Sequence, residues 1–352
     1  MKTLFWKNKR VLITGHTGFK GSWLSLWLHL LGAKTYGFAL PPFQGFGFYR
    51  QCKIDQLIGS TLNDIRDADA IDQCVKKTKP EIIIHMAAQP YVKEGYLHPK
   101  ETYETNMIGL INLLETARKS DTLKVFLNVT TDKCYQNQKW DWEYRENDQL
   151  GGDDPYSSSK ACAEMISHAY QCSYMEPKGT LIARARAGNV IGGGDHAPER
   201  LIPDLLRALE KKQTIYLRNP DYIRPWQHVF DCLHGYLLLC QKLYETGPSL
   251  QGAWNFAPHE TNRITVRHIC EHLINRWQSN LEVKVAQSSF KETAKLRLSS
   301  AKARLKLNWK PQYTTEQSLN LIVDWHKAYL RKVDMQMFSC TQIEHYMKNI
   351  VK

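Results

Sequence analysis

The sequence has no CxxC pair among its nine cysteines, no apolar run long enough to cross a bilayer, no dense basic arm, and no internal repeat or low-complexity tract. Each absence excludes something. An odd number of cysteines without paired spacing argues against a zinc site or a disulfide framework, so no metal is expected and free thiols in a reducing compartment are the plainer reading. The most apolar stretch, 23–33, is interrupted by Ser25, His29 and Gly32. It falls short of the roughly 20 residues that a helical span needs, so no membrane partner is expected. The opening MKTLFWKNKR lacks a signal-peptide core, which leads to an expected cytoplasmic location. The formal charge of +12 is spread along the chain, with no zinc-finger spacing and no RNP motif. Nucleic acid is therefore set aside, and an anionic small substrate suits the sign.

What is present is an ordinary globular composition over 352 residues, 43% hydrophobic and 23% charged. β-rich runs at 10–14, 34–40, 57–62, 81–85, 123–130 and 180–185 alternate with helical patterns at 19–31, 71–77, 102–118 and 156–174. Alternation of this kind implies parallel strands joined by right-handed crossovers. The all-apolar run Ile82-Ile83-Ile84 suits a strand covered on both faces. The expected fold class is α/β, a Rossmann-type doubly wound parallel sheet with a smaller mixed α/β lobe for substrate. Glycine and proline cluster after residue 186, so the expected division is 1–185 for the nucleotide-binding domain, with a return near 225–250. Residues 186–224 and 251–352 make the substrate lobe.

Gly15-His16-Thr17-Gly18-Phe19-Lys20-Gly21 follows the first strand and opens a helix. Glycine lets backbone turn tightly and approach a pyrophosphate, and the helix N-terminus offers free N–H groups. In this context a dinucleotide site is favoured over a plain strand-to-helix turn. The second strand ends Tyr36-Gly37-Phe38-Ala39-Leu40, without the acidic residue that usually holds the adenosine ribose, so the residues alone do not choose NAD over NADP. Asp64 and Ile65 follow the third strand, where an adenine would lie. Ala87 and Ala88 follow the fourth, where small residues admit a cofactor. A helix-cap turn and a strand-end turn explain either pair nearly as well.

Tyr156-Ser157-Ser158-Ser159-Lys160 puts a phenol and an ammonium on one helix face, which should lower the phenol's pKa and fit it to take a hydroxyl proton as hydride leaves. Thr130 and Thr131 end the preceding strand, and one hydroxyl could hold the reacting oxygen. Asp132 and Lys133 add an acid–base pair that a plain dehydrogenase does not need, which suggests a second proton transfer at the sheet's carboxyl edge rather than a surface ion pair.

Together these residues resemble the extended short-chain dehydrogenase/reductase family, and within it the enzymes that dehydrate CDP-glucose at C4 and C6. The likeness covers nearly the whole chain through GHTGFKGSWLSLWL (15–28), HMAAQP (85–90), TTDKCY (130–135), DPYSSSK (154–160), ARAGNVIGGGD (185–195), IRPWQHV (223–229) and GAWNFAP (252–258). The resemblance implies NAD as cofactor, held by Gly15, His16, Gly18, Phe19, Lys20, Gly21, Asp64, Ile65, Ala87, Ala88, Tyr156 and Lys160. It implies that Tyr156 and Lys160 remove the C4 hydroxyl proton with Thr131 on that oxygen, that Lys133 is the base at C5 and that Asp132 protonates the leaving C6 hydroxyl. Asp132 then needs a pKa raised by burial against the pull of Lys133. Asn189, Arg224 and, more loosely, Arg218 would hold the diphosphate of a nucleotide sugar. His196, where similar proteins carry tryptophan, and the Phe/Gly-rich segment 42–49 depart from the pattern.

A UDP-N-acetylglucosamine 4,6-dehydratase shares Thr-Asp-Lys, a 4-epimerase shares the fold but not the need for Asp132 and Lys133, and a non-catalytic dinucleotide-binding protein would need none of the three catalytic groups together. By analogy the protein is expected to form a homodimer through its long helices and to serve bacterial surface-polysaccharide synthesis.

Overall fold

In the computed structural model, which describes residues 1–258, 264–285 and 296–350, the chain opens with six strands alternating with helices: β1 (Arg10–Thr14), β2 (Lys34–Ala39), β3 (Gly59–Leu62), β4 (Ile82–His85), β5 (Val125–Val129) and β6 (Leu181–Ala187). Three short strands follow, β7 (Asn189–Ile191), β8 (Ile215–Leu217) and β9 (Trp226–His228), then β10 (Gly252–Phe256) and β11 (Val283–Val285). The main sheet has seven strands in the order β10-β6-β5-β4-β1-β2-β3, and every pairing in it is parallel. The fold is thus the doubly wound α/β class. The strand order reverses at β1, so the crevice beyond the β1 and β4 ends is where ligands bind in such sheets.

The central strands β1 and β4 are mostly apolar because both faces are covered. Val11 and Ile13 of β1, with Ile82 and Ile84 of β4, enter one core with the helices Phe19–Leu30 and Val229–Thr246. Leu12 and Ile83 enter a second core with the helices Ala68–Thr78 and Gly109–Ala117. Successive side chains of a strand point to opposite faces, so a run of three apolar residues serves two layers.

A third core belongs to the smaller lobe. It gathers Ile191, Leu205, Leu206, Trp226, Leu273 and Ile322 from β7, β9 and the helices Leu201–Lys211, Val266–Trp277 and Thr315–Leu330. Two parallel ribbons, β7–β9 and β8–β11, flank it.

Three expectations need correction. The division at 185/186 and 251 is too simple. β6 continues to Ala187, β10 joins the main sheet beside β6, and Trp309, Ile343 and Tyr346 pack into the first core, so the chain returns to the nucleotide-binding layer well beyond residue 250. The helix expected over 102–118 is broken into Pro99–Tyr103, a π-helical turn at Glu104–Ile108, and Gly109–Ala117. The widened turn carries Asn106, whose amide bonds Gln89 and Ser159 and so fastens the loop after β4 to the next helix. That helix, Pro155–Tyr170, ends four residues earlier than expected, in a second π-helical turn at Gln171–Met175.

Candidate active site

The glycine turn is built around close backbone contacts. Gly15 has φ +78°, and a Cβ on it would lie 2.8 Å from the Ala87 nitrogen. A Cβ on Gly21 would lie 2.1 Å from the Gly15 carbonyl oxygen. Gly18 caps the helix Phe19–Leu30 with no side-chain acceptor, so the first-turn N–H groups face the crevice without a local carboxylate. These features fit a pyrophosphate. The ring of His16 is fully buried and turned away from the crevice, over Gly37 and onto Ser60 Oγ at 2.7 Å. Burial lowers its pKa to about 4, against the opposing pull of the Phe38 backbone carbonyl. Only its backbone is therefore available to a cofactor.

The switch point is tied by Thr14 and His85. The Thr14 hydroxyl oxygen accepts from the Met86 and Ala87 N–H groups at 3.1 and 3.2 Å, so its proton goes to His85 Nδ1 at 2.7 Å. His85 is thereby neutral, in keeping with a pKa lowered by burial, and then by Lys160, to about 3. This bond holds Ala87 and Ala88 at the crevice. On the other side of β1, Asp64 is occupied: Arg66 forks onto its carboxylate at 2.6 and 3.0 Å. That contact, the largest cause, lowers its pKa. Ile65 is buried in the second core, packed on Gly109.

The helix Pro155–Tyr170 starts where its residues demand. Asp154 accepts from Ser157 N–H at 2.9 Å and Pro155 occupies the first turn. This start sets Tyr156 and Lys160 beneath the end of β5. Thr130 is not the threonine that serves them: its hydroxyl goes to Glu164 at 2.5 Å. Glu164 is gripped by Arg186 and Arg184, and although burial works against it, the Arg186 fork keeps its pKa low. Thr131 is hydrogen-bonded with Tyr156 and donates to Asp132 Oδ1 at 3.0 Å.

Three charge states follow from this crowding. Burial raises Asp132, with Lys133, Thr131 and Arg224 pulling the other way. Burial lowers Lys160 to about 8, helped by Lys20. Burial raises Tyr156 to about 12, opposed by Thr131, which corrects the expected lowering: in the protein alone, desolvation of the phenolate outweighs its neighbours. Lys160 instead points to the Val129 carbonyl at 3.5 Å. Thr131 has one proton and two oxygen neighbours. When Asp132 is protonated it can donate to Thr131, which frees the threonine proton for the Tyr156 oxygen. The acid form of Asp132 and the phenolate form of Tyr156 therefore support one another.

The lobe meets this group at Gly188, where a Cβ would lie 2.5 Å from Pro225 Cγ and 3.3 Å from Asp132 Oδ2. Arg224, beside Pro225, lies over the Tyr222 ring at 5.1 Å and acts on Asp132, and Asn189 begins the strand paired with Trp226. Arg218 is exposed after β8, in the other ribbon, and is not drawn into the group. One residue without a sequence signal is drawn in. Arg200 lies over the Tyr91 ring at 5.4 Å, pairs with Asp195 at 3.5 Å and acts on Tyr156. Its neighbour Glu199 has φ +60° and is held by Lys93 at 2.5 Å. Lys20 rests on the Tyr236 hydroxyl at 3.4 Å, beside Cys232. His196 and segment 42–49 form one unit: the His196 ring stacks on Phe43 at 4.9 Å and fills the space over Gly47.

Among the described residues no cluster of His, Cys, Asp or Glu could hold a metal ion, and no helix is long and apolar enough to cross a membrane.

Residues 12–322 match the family described as GDP-mannose 4,6 dehydratase. The chain is 43% identical over 349 residues to a CDP-glucose 4,6-dehydratase of Salmonella typhimurium, covering 97% of both chains. It is 26% identical over 341 residues to a probable dTDP-glucose 4,6-dehydratase of Sinorhizobium fredii, covering 90% of this chain and 92% of that one. Among solved structures it superposes with TM-score 0.78 on a dTDP-glucose 4,6-dehydratase of Bacillus anthracis in complex with NAD, 23% identical, over 93% of this chain and 99% of that one.

Proposed function

The chain belongs to the GDP-mannose 4,6 dehydratase family, and on that premise we propose that it converts CDP-glucose to CDP-4-keto-6-deoxyglucose, with NAD as a cofactor regenerated in each turnover. The observation that carries this reading is the buried group Thr131, Asp132 and Tyr156. It holds within one hydrogen-bonded chain a phenol that suits the first proton transfer and a carboxyl, its pKa raised by burial, that suits the second. A 4-epimerase needs only the first. The base preference rests on the 43% identical relative.

NAD, when bound, would supply a hydride acceptor for sugar C4 and, once reduced, a hydride donor for C6. The glycine turn fits its pyrophosphate, and no acidic side chain stands at the end of β2 for its ribose. Tyr156 accepts the C4 hydroxyl proton. Binding of a cationic ring and of the sugar hydroxyl brings its pKa down from the value near 12 of the protein alone. Thr131 holds the same oxygen. Lys133 removes the C5 proton once the 4-ketone has acidified it, and Asp132 gives its proton to the departing C6 hydroxyl. Arg224, with Asn189 beside it, neutralises the diphosphate, and Arg200 is a second cation at the mouth.

The protein acts as a homodimer. Leu97, Tyr103, Ile108, Met165 and Tyr174 are large apolar side chains exposed on the helices between 92 and 175, a patch suited to a two-fold interface. It works in the cytoplasm, which suits nine free cysteines, six of them buried, and it supplies deoxysugar for lipopolysaccharide O-antigen.

The test is to incubate the purified protein, with and without NAD, with CDP-glucose, dTDP-glucose, UDP-glucose and UDP-N-acetylglucosamine, and to follow each by mass spectrometry. Loss of one water from CDP-glucose alone is expected. Loss of water from UDP-N-acetylglucosamine alone, or isomerisation without water loss, would overturn the assignment.

A further inference from the structure

Gln227 is the middle residue of β9, is 2% exposed, and has no hydrogen-bond partner for either its amide oxygen or its amide nitrogen. Burying a primary amide with both ends unmet is unfavourable, and native proteins seldom do so without a ligand or water to fill the gap. Leucine would fill the same space without that cost.

The strand register shows which way the side chain faces. Gln227 pairs with Val190, between the pairs Asn189–Trp226 and Ile191–His228. Trp226 and Ile191 enter the lobe core, whereas Val190 packs against the core of the main sheet. Alternation puts Gln227 with Val190, looking back from the lobe toward the nucleotide-binding layer. The ends of the ribbon show what it looks across. Before β7, Gly188 lies between Pro225 and the Asp132 carboxylate. After β7, Gly192 lies against Val229 and the ring tip of Phe19 in the glycine turn. The ribbon thus runs from the catalytic carboxyl to the glycine turn, and Gln227 stands halfway.

We propose that Gln227 receives the carboxamide of the nicotinamide ring and so sets which face of the ring meets the sugar, an inference that rests on the function proposed above. A primary amide offers one acceptor and one NH2 group. The nicotinamide carboxamide offers the same pair, so two antiparallel hydrogen bonds satisfy all four. The pair would also orient the ring, since turning the ring over about its bond to the ribose would carry the carboxamide to the other side, out of reach of Gln227.

The experiment measures binding, not turnover. The full chain, Gln227→Leu and Gln227→Met are each titrated by calorimetry with NAD, with its 3-acetylpyridine analogue, in which a methyl group replaces the carboxamide NH2, and with ADP-ribose, which lacks the ring. The wild type is expected to bind NAD about tenfold more tightly than the analogue, the effect of one buried hydrogen bond whose partner is left unmet. Both variants are expected to lose that preference and to bind ADP-ribose as the wild type does. A variant that keeps the preference would overturn the assignment, as would a wild type without it. Equal losses for NAD and ADP-ribose would show a general structural role and would also overturn it. A wild type that binds neither NAD nor ADP-ribose would instead refute the proposed function.

Discussion

Replacing Asp231 by asparagine should change how stability depends on pH, and its size can be worked from the structure. Asp231 lies in the first turn of the helix Val229–Thr246 and is 1% exposed. Its Oδ1 accepts from the Gln312 N–H at 2.6 Å and the Tyr346 hydroxyl at 2.8 Å, and its Oδ2 from the Tyr313 N–H at 3.3 Å. These bonds favour the carboxylate, but burial outweighs them and raises the pKa from 3.8 to about 7. The folded protein therefore keeps this proton up to about pH 7, while the unfolded chain releases it near pH 4. The sign follows: the native state binds more protons than the unfolded state between those values, so this group's stabilisation is fully present below about pH 4 and is lost as pH rises through about 7. The rise of about 3 pH units corresponds to ~4 kcal/mol. Asparagine cannot ionise, so Asp231→Asn removes the whole dependence. It keeps an oxygen for Gln312 and Tyr346 but sets an NH2 against the Tyr313 N–H, at a cost of ~1–3 kcal/mol. The variant should be the less stable protein near pH 4 and the more stable one near pH 8. The assay is the urea midpoint of both proteins across that range, read as a difference so that other titrating groups cancel. A difference independent of pH would refute the reasoning, because it would mean that Asp231 is ionised throughout.

Tyr156→Phe should cut turnover of CDP-glucose by about 10²–10⁴-fold while NAD affinity, measured by calorimetry, stays within a small factor. Unchanged turnover would remove the phenol from the chemistry. Asp132→Asn cannot protonate the C6 oxygen but leaves Tyr156 in place, so C4 oxidation should outrun water loss. Reduced nicotinamide should then build up in near-ultraviolet absorbance while mass spectrometry shows little dehydration. Gly21→Ala sets a Cβ 2.1 Å from the Gly15 carbonyl, a backbone contact that cannot yield cheaply. It should destabilise the protein by ~1–3 kcal/mol in thermal unfolding and weaken NAD binding. A wild-type melting temperature would show that the turn has more room than its geometry implies.

Much of the site was legible before the fold was known because its signals are local. A glycine turn needs three glycines at fixed spacing, a helix start needs Asp154-Pro155, and a phenol–ammonium pair on one helix face needs three residues between partners. The order of those motifs along an alternating β/α pattern places them at one sheet edge. The broken helix at Glu104–Ile108 was not legible, because Asn106 widens its turn only to reach Gln89 and Ser159, partners 17 and 53 residues away in the chain. Nor was the role of Arg200, which reaches Tyr91 across the crevice from a residue with left-handed backbone beside it.

By itself the sequence determined the parallel doubly wound class, the glycine turn, and the placing of Tyr156 and Lys160 on one helix face after a strand that ends in Thr130 and Thr131, since period, spacing and chain order suffice for each. Tertiary structure alone decided the charge states and the company these groups keep. Desolvation and through-space partners have no image in local sequence. They raise Tyr156 and Asp132, lower Lys160, assign Thr130 to the Glu164–Arg186 pair and set Thr131 between Tyr156 and Asp132, and leave Gln227 buried with both ends of its amide unmet.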